Sequence, residues 1–307
     1  MDDRALRCME GSSKPAESRT VETPIGTFVI DLLTEDLGGV YPGMRRYTVE
    51  IHYAGQSVYH YVINSYEQPP HTLFSTDEVA NIVFGRLIYD IKARPEHYTK
   101  ALPPVRRALP GAAYDVVILQ GSPRQFGNSA TLAGWCADEA SRQRRSVHIF
   151  PVHEMDIRPC SGCYACYNQG VCPVEDDMPA IIKAIEEASL LIIATPVYTN
   201  TVPAALKAVI DRGQALHARR TLLSTPIAAK GLLIAVAGRP GPEPFECVRS
   251  VTGAFMRNIG IHPAEEITVD RMDTRQDVRA IEGLEDRVRA AVASLLKVSG
   301  ETKAHIG

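Results

Sequence analysis

Val116-Val117-Ile118-Leu119-Gln120-Gly121-Ser122-Pro123-Arg124-Gln125-Phe126-Gly127-Asn128-Ser129-Ala130-Thr131 is the stretch that decides the fold. It opens as a continuous apolar run, as a strand covered on both faces does. It then turns through small and polar residues and enters helical spacing from about residue 129 to 143. The same grammar repeats downstream. Val147 to Phe150, Leu190 to Ala194, Leu232 to Ala237 and a weaker stretch ending in Ile267-Thr268-Val269 read as strands. Helices are expected over about 178–188, 203–215, 245–258 and 275–297. Five such units predict an α/β domain with a doubly wound five-stranded parallel sheet, in which ligands belong at the carboxyl ends of the strands.

Upstream the pattern changes. Pro103, Pro104 and Pro110 flank Arg106 and Arg107, a stretch unfit for a helix or a central strand. The domain boundary is expected there, dividing residues 1–108 from 109–307. In the first part Thr27 to Asp31 reads as a strand, and Tyr47, Val49, Ile51 and Tyr53 alternate with polar residues as a half-buried strand does. Ala54-Gly55-Gln56-Ser57 reads as a turn and Val58 to Ile63 as the next strand. Ser75 and Glu78 have capping-box spacing ahead of a helix, which completes a small α+β module. His52, His60 and His71 read as sheet-surface histidines, because no acid or cysteine pattern supports them as ligands.

A length of 307 residues agrees with two domains, and 45% apolar with 22% charged residues excludes disorder, collagen and coiled coil. A net charge of -3 supplies no general reason for a nucleic-acid or anionic-membrane partner. No apolar run reaches the roughly 18 residues that cross a bilayer. The opening Met1-Asp2-Asp3-Arg4 is unlike a basic leader. A cytoplasmic protein with no nucleic-acid and no membrane partner is the expectation.

The loop after the first strand suits a phosphate. Backbone N–H groups at the helix start, the hydroxyls of Ser122, Ser129 and Thr131, and the Arg124 guanidinium can face one dianion. A plain turn with Asn128 or Ser129 as N-cap accounts for the same residues, and the loop alone leaves both readings open. It is neither a Walker A sequence nor a GxGxxG fingerprint, which disfavours ATP and a stably bound dinucleotide.

After the third strand comes Thr195-Pro196-Val197-Tyr198-Thr199-Asn200-Thr201-Val202-Pro203, followed by Leu206-Lys207 and Asp211-Arg212. With the Gly-Ser-Pro-Arg loop, this segment resembles the NAD(P)H-dependent FMN reductase family of flavodoxin-like proteins. Members share a Gly-Ser-x-Arg phosphate loop, a Pro-x-Tyr flavin loop and a Leu-Lys-x-x-x-Asp-Arg helix. The resemblance covers residues 114 to about 270, roughly half the chain. It implies that FMN is bound with its phosphate in the first loop, Asn128 included, and with Pro196, Val197 and Tyr198 along the isoalloxazine. Thr199 and Asn200 are carried as further cofactor contacts, although they depart from the aromatic or glycine often found there. Lys207, Asp211 and Arg212 read first as a helix ion pair or dimer contact. After the fourth strand, Gly238 permits close backbone approach to the flavin and Arg239 can offset charge near its ring; a simple crossover loop explains them equally well.

The loop after the second strand gathers four of the seven cysteines: Cys160, Cys163, Cys166 and Cys172, spaced C-x2-C-x2-C-x5-C and followed by Pro173. Two residues between successive cysteines let one tight loop present thiolates to the corners of a cube, with a proline after the last as in bacterial ferredoxins. The motif resembles the iron-sulfur flavoprotein branch of the family. That resemblance implies that these four residues ligate a [4Fe-4S] cluster near the flavin of a neighbouring subunit. Zinc and a thiol loop without metal remain alternatives, although structural zinc usually draws its ligands as pairs from two separated knuckles. Cys8, Cys136 and Cys247 read as bystanders, the last two inside expected helices.

The resulting expectation is a flavodoxin-like FMN domain preceded by the α+β module. It acts as an electron-transfer oxidoreductase in which flavin, not a catalytic side chain, carries the chemistry. Electrons come from a ferredoxin-like donor, or from NAD(P)H as a transient substrate, and leave to a small-molecule acceptor. The alternatives are a cluster-free NAD(P)H-dependent flavin or quinone reductase and a regulatory or carrier flavoprotein. A homodimer or homotetramer is expected, because in this fold a second subunit commonly covers the open flavin face.

Overall fold

The computed structural model describes residues 15–68, 72–101, 111–223 and 227–297. Cys8, His71 and the Pro103–Pro110 stretch with Arg106 and Arg107 lie outside them. The chain divides into two compact units. The first is Met1–Ala108 with Ser161–Pro173 and Ala218–Thr225; the second is Leu109–Cys160, Val174–His217 and Pro226–Gly307. This differs from a single cut after residue 108, since two downstream segments, one carrying three of the clustered cysteines, group with the first unit.

In the first unit β1 (Glu17–Thr23), β2 (Gly26–Asp36), β3 (Arg45–Tyr53) and β4 (Gln56–Asn64) form an antiparallel meander in that order. The turn from β3 to β4 holds Ala54 at φ 50° and Gly55 at φ 76°, the two left-handed residues that match strand twist in a tight hairpin. Phe28, Ile30 and Leu32 on β2 and Tyr47, Val49 and Ile51 on β3 alternate inward. They pack in one core with Ala80, Phe84, Leu87 and Ile91 of α1 (Thr76–Ala93). The expected capping box starts that helix: the Ser75 N–H donates to the Glu78 carboxylate at 2.7 Å. β1 was not expected from the sequence. Its residues are mostly polar and only Val21 is buried, as an edge strand allows.

The second unit is a parallel sheet of β5 (Val116–Gln120), β6 (Val147–Pro151), β7 (Leu190–Pro196), β8 (Lys230–Val236) and β9 (His262–Val269), in spatial order β6-β5-β7-β8-β9. This is the flavodoxin-like doubly wound order. β5 is buried at every position and β7 and β8 nearly so, in keeping with their continuous apolar sequences. The helices that follow along the chain are α2 (Asn128–Arg142), α3 (Met178–Glu187), α4 (Ala204–Arg212), α5 (Gln214–Leu223), α6 (Glu246–Asn258) and α7 (Leu284–Lys297), of which α5 from Ala218 onward groups with the first unit. One helix was expected over 275–297. Instead Met272–Arg275 makes a single turn, Gln276 and Gly283 take left-handed φ of 64° and 71°, and α7 starts only at Leu284. Among the described residues no helix is long and apolar enough to cross a membrane.

Candidate functional site

The carboxyl ends of four parallel strands surround a cavity of about 360 Å³. The loop after β5 contributes Ser122, Arg124, Gly127, Asn128 and Ser129, and the loop after β7 contributes Pro196, Val197 and Tyr198. Gly238 lies in its wall after β8. Eight of the residues expected at a cofactor site from sequence thus share one cavity, whose size is that of a small-molecule site.

The loop after β5 is shaped from within. Ser122 Oγ accepts a hydrogen bond from the Arg124 N–H at 3.1 Å, and its carbonyl accepts one from Gln120 Nε2 at 2.9 Å. α2 then begins behind Gly127, with no side chain capping it. The loop does turn, with the Gly127 N–H donating to the Arg124 carbonyl at 3.1 Å, but the expected cap fails: neither Asn128 nor Ser129 is the N-cap. The first N–H groups of α2 and the positive end of its dipole are left for a ligand, beside Arg124. Gly121 shows how tightly the loop is seated. A Cβ there would lie 2.8 Å from Leu206 Cδ2 and 3.0 Å from Thr195 Oγ1.

Three expected contacts stand elsewhere. Thr131 lies outside the cavity; its hydroxyl donates to the Gly127 carbonyl at 3.3 Å and accepts from Arg279 at 3.1 Å. Thr199 and Asn200, at φ 47° and 62°, form the tip of a tight turn closed by paired backbone bonds between Tyr198 and Thr201. Asn200 Oδ1 accepts from the Arg239 guanidinium, so Arg239 serves this turn and is not in the cavity wall.

Met272, Asp273 and Gln276 also line the cavity, and the sequence reading missed them. They follow β9: Met272 and Asp273 lie in the short gap before the helix expected from 275, and Gln276 inside that expected helix. The rule that every carboxyl-end loop is a candidate was the available signal. Backbone N–H groups of Arg271, Met272 and Asp273 donate to the carbonyls of Arg239, Ala237 and Gly238 at 3.1–3.2 Å. Gly238 has a second role here, because a Cβ would run into the Asp273 carboxylate. Asn128 ties the same segment down: its Nδ2 donates to the Gln276 carbonyl at 2.9 Å and its Oδ1 accepts from the Val278 N–H at 3.1 Å.

Of the clustered cysteines, Cys160 and Cys163 are exposed, Cys172 is half-buried and Cys166 is buried. Among the described residues no three His, Cys, Asp or Glu side chains are placed together to hold a metal ion. Four thiols remain the donor chemistry that [4Fe-4S] clusters use. In the second unit the chain on either side of this loop is clamped. Asp176 accepts from Arg212 Nη2 at 3.1 Å and from the N–H groups of Arg158 and Met178 at 3.0 and 3.1 Å. Lys207 pairs with Asp211 at 2.7 Å, the helix ion pair expected from spacing. Cys136 is buried in α2, whereas Cys247 is exposed on α6, unlike the buried helical position expected of it.

The profile of a family described as NADPH-dependent FMN reductase matches residues 114–255. An iron-sulfur flavoprotein of Methanocaldococcus jannaschii is 33% identical over 102 residues, which cover 33% of this chain and 53% of that protein. An iron-sulfur flavoprotein of Methanosarcina thermophila is 31% identical over 111 residues, covering 36% and 58%. The chain thus spans about half the length of the curated relatives it matches. Among solved structures, an NAD(P)H:quinone oxidoreductase from Methanothermobacter marburgensis superposes with a TM-score of 0.46 at 18% identity, over 64% of this chain and 98% of that one.

Proposed function

We propose, from the match of residues 114–255 to the NADPH-dependent FMN reductase family, that the chain is an FMN-dependent oxidoreductase that passes electrons from a ferredoxin-like protein or NAD(P)H to a small-molecule acceptor. The observation that carries this reading is the single cavity shared by the Ser122–Ser129 loop, with its open helix start, and the Pro196-Val197-Tyr198 edge. The N–H groups of α2 and the Arg124 guanidinium bind and orient the phosphate. Proline and backbone at Pro196-Val197 give a flat edge for the ring system, and the Tyr198 ring covers an apolar face. Cys160, Cys163, Cys166 and Cys172 would hold a [4Fe-4S] cluster, as the names of the relatives suggest. When bound, FMN supplies one- and two-electron chemistry and the cluster supplies single-electron transfer. A reducing, cytoplasmic setting suits four closely spaced thiols.

A second reading, an NAD(P)H-dependent flavin or quinone reductase with no cluster, is supported by the family match, which is described as an NADPH-dependent FMN reductase. Protein purified without oxygen separates the two by absorption spectrum, iron and sulfide content, and NAD(P)H turnover with a quinone. Flavin bands with iron and sulfide matching one cluster per chain are expected. Flavin with NAD(P)H turnover and no iron selects the second reading, and absence of FMN overturns both.

A further inference from the structure

The segment Ser161–Pro173 is gripped by side chains of the antiparallel sheet, and we propose that the N-terminal α+β module is the positioning device for the cysteine loop, with Arg46 and Asn64 as its positioning residues. All the contacts involved lie within the first unit. The module thereby acquires a role that its own sequence does not declare.

The part of the loop that needs support is the single helical turn Cys166–Gln169. One turn is far too short to persist unaided in water, yet Cys166 and Tyr167 are 7% and 0% exposed. Its last carbonyls have no partner within the turn and need donors from elsewhere. Arg46 on β3, 5% exposed, supplies them: Nη1 donates to the Asn168 carbonyl at 2.6 Å and to the Tyr167 carbonyl at 3.4 Å. The other arm of the guanidinium is fixed by Glu35 on β2, with Nε to Oε2 at 2.9 Å. A cation at this end of the turn also meets its negative dipole end.

Asn64, fully buried at the end of β4, makes the second grip. Its Nδ2 donates to the Tyr164 carbonyl at 3.1 Å and to Asn168 Oδ1 at 2.7 Å. Asn168 Nδ2 in turn donates to Glu67 at 2.8 Å. Gln169 meets His60 at 2.9 Å, so His60 is part of the grip and not simply a sheet-surface histidine. Tyr164 stands at φ 57°, a left-handed conformation that is strained for a bulky residue and persists only where its surroundings over-determine it. Here they do. Asn64 holds its carbonyl, and Tyr41 and Tyr66 pack against its ring at centroid distances of 5.5 and 5.0 Å. The backbone on both sides of Cys166 is therefore set by residues more than ninety positions upstream.

The proposal concerns where the loop is held and does not depend on which cofactor the thiols take. The test uses the full chain, wild type against Arg46→Met, Arg46→Lys and Asn168→Ala. Hydrogen exchange is followed across 161–173, and alkylation of each cysteine is measured by mass spectrometry. Cys136, whose thiol burial pushes up to about 12, reports on the second unit, and exchange of the α1 amides reports on the first. In wild type the amides of Tyr167, Asn168 and Gly170, hydrogen-bonded within the turn, are protected. Arg46→Met and Asn168→Ala raise their exchange and Cys166 alkylation by about tenfold or more, Cys136 stays inert, and Arg46→Lys restores part of the protection. Anaerobic loading with ferrous iron and sulfide gives a visible spectrum in wild type that weakens in the same order. Should Arg46→Met unfold either unit, exposing Cys136 or the α1 amides, Asn168→Ala decides, since it alters only the loop's own side chain. Unprotected loop amides in wild type, or Cys166 reactivity within about twofold of wild type in Asn168→Ala, overturns the proposal. A wild-type chain that takes up no iron counts against the cluster, while the exchange and alkylation results still decide the positioning role.

Discussion

Asp176 and Arg212 are opposite charges with side-chain exposures of 0% and 1%, and their pairing shows how much can hang on two residues. Burial alone pushes the Asp176 carboxyl up. Arg212 and the Arg158 and Met178 N–H groups overcome that push and hold it below its ordinary value. A carboxylate lowered in the folded state adds stability above its unfolded value of about 3.9, and that stability is lost as pH falls through the folded value. Breaking a buried ion pair by removing one of its charges costs about 3–5 kcal/mol. Asp176→Asn should therefore lower unfolding stability by that amount in urea titrations at pH 7. Its stability should also fall less steeply than wild type's between pH 5 and pH 2. Equal losses at both pH values would show that the carboxylate's charge is not what stabilises the native chain. Helix spacing identified Lys207 and Asp211 as partners because they lie one turn apart. It could not find Arg212's partner, which comes from before α3.

At the scale of elements, legibility followed burial. β5, β7 and β8 are covered on both faces, so their sequences are nearly pure apolar runs and their limits were readable to within a few residues. β1 hides one side chain and leaves no such pattern. The turn Met272–Arg275 with its left-handed neighbours Arg271 and Gln276 is fixed by bonds to the loop after β8 and to Asn128, and these join residues far apart in sequence. The cavity was legible where one loop supplies several of its residues, at Ser122–Ser129 and Pro196–Tyr198. It was not legible at Met272–Gln276, which long-range zippering brings in. The start of α2 carries its own prediction. Its N–H groups carry no side-chain cap and Arg124 beside them is exposed, the place where the proposed reading puts the phosphate. A hydrogen bond to a charged group contributes about 1.5–3 kcal/mol. Arg124→Ala should weaken FMN binding by roughly ten- to a hundredfold in fluorescence titrations and leave riboflavin, which lacks the phosphate, unaffected. Equal weakening for both ligands would remove Arg124 from the phosphate site.

At the scale of the whole molecule, the loops around the cavity carry exposed aromatics. Tyr198 in its wall is 41% exposed, and Phe126, in the same loop as Arg124, is 85% exposed. Single exposed apolar residues are ordinary on a protein surface. Two exposed aromatics on the loops around one cavity are what the expected homo-oligomer would bury, with a second copy of the chain closing over the cavity, as the family resemblance implies. Burying a phenylalanine of this exposure contributes about 1.5–3 kcal/mol on each side, and a two-fold contact uses it twice. FMN-loaded protein should therefore sediment as a dimer or tetramer. Phe126→Asp should shift it toward monomer by placing like charges at the contact, and should expose the flavin, raising its fluorescence quenching by iodide. The backbone N–H groups of α2 and Arg124 remain in the variant, so phosphate-dependent FMN binding should persist, only weaker. A wild-type chain that sediments as a monomer with FMN fully bound would mean that the cavity works open, with Tyr198 as the sole cover over the ring.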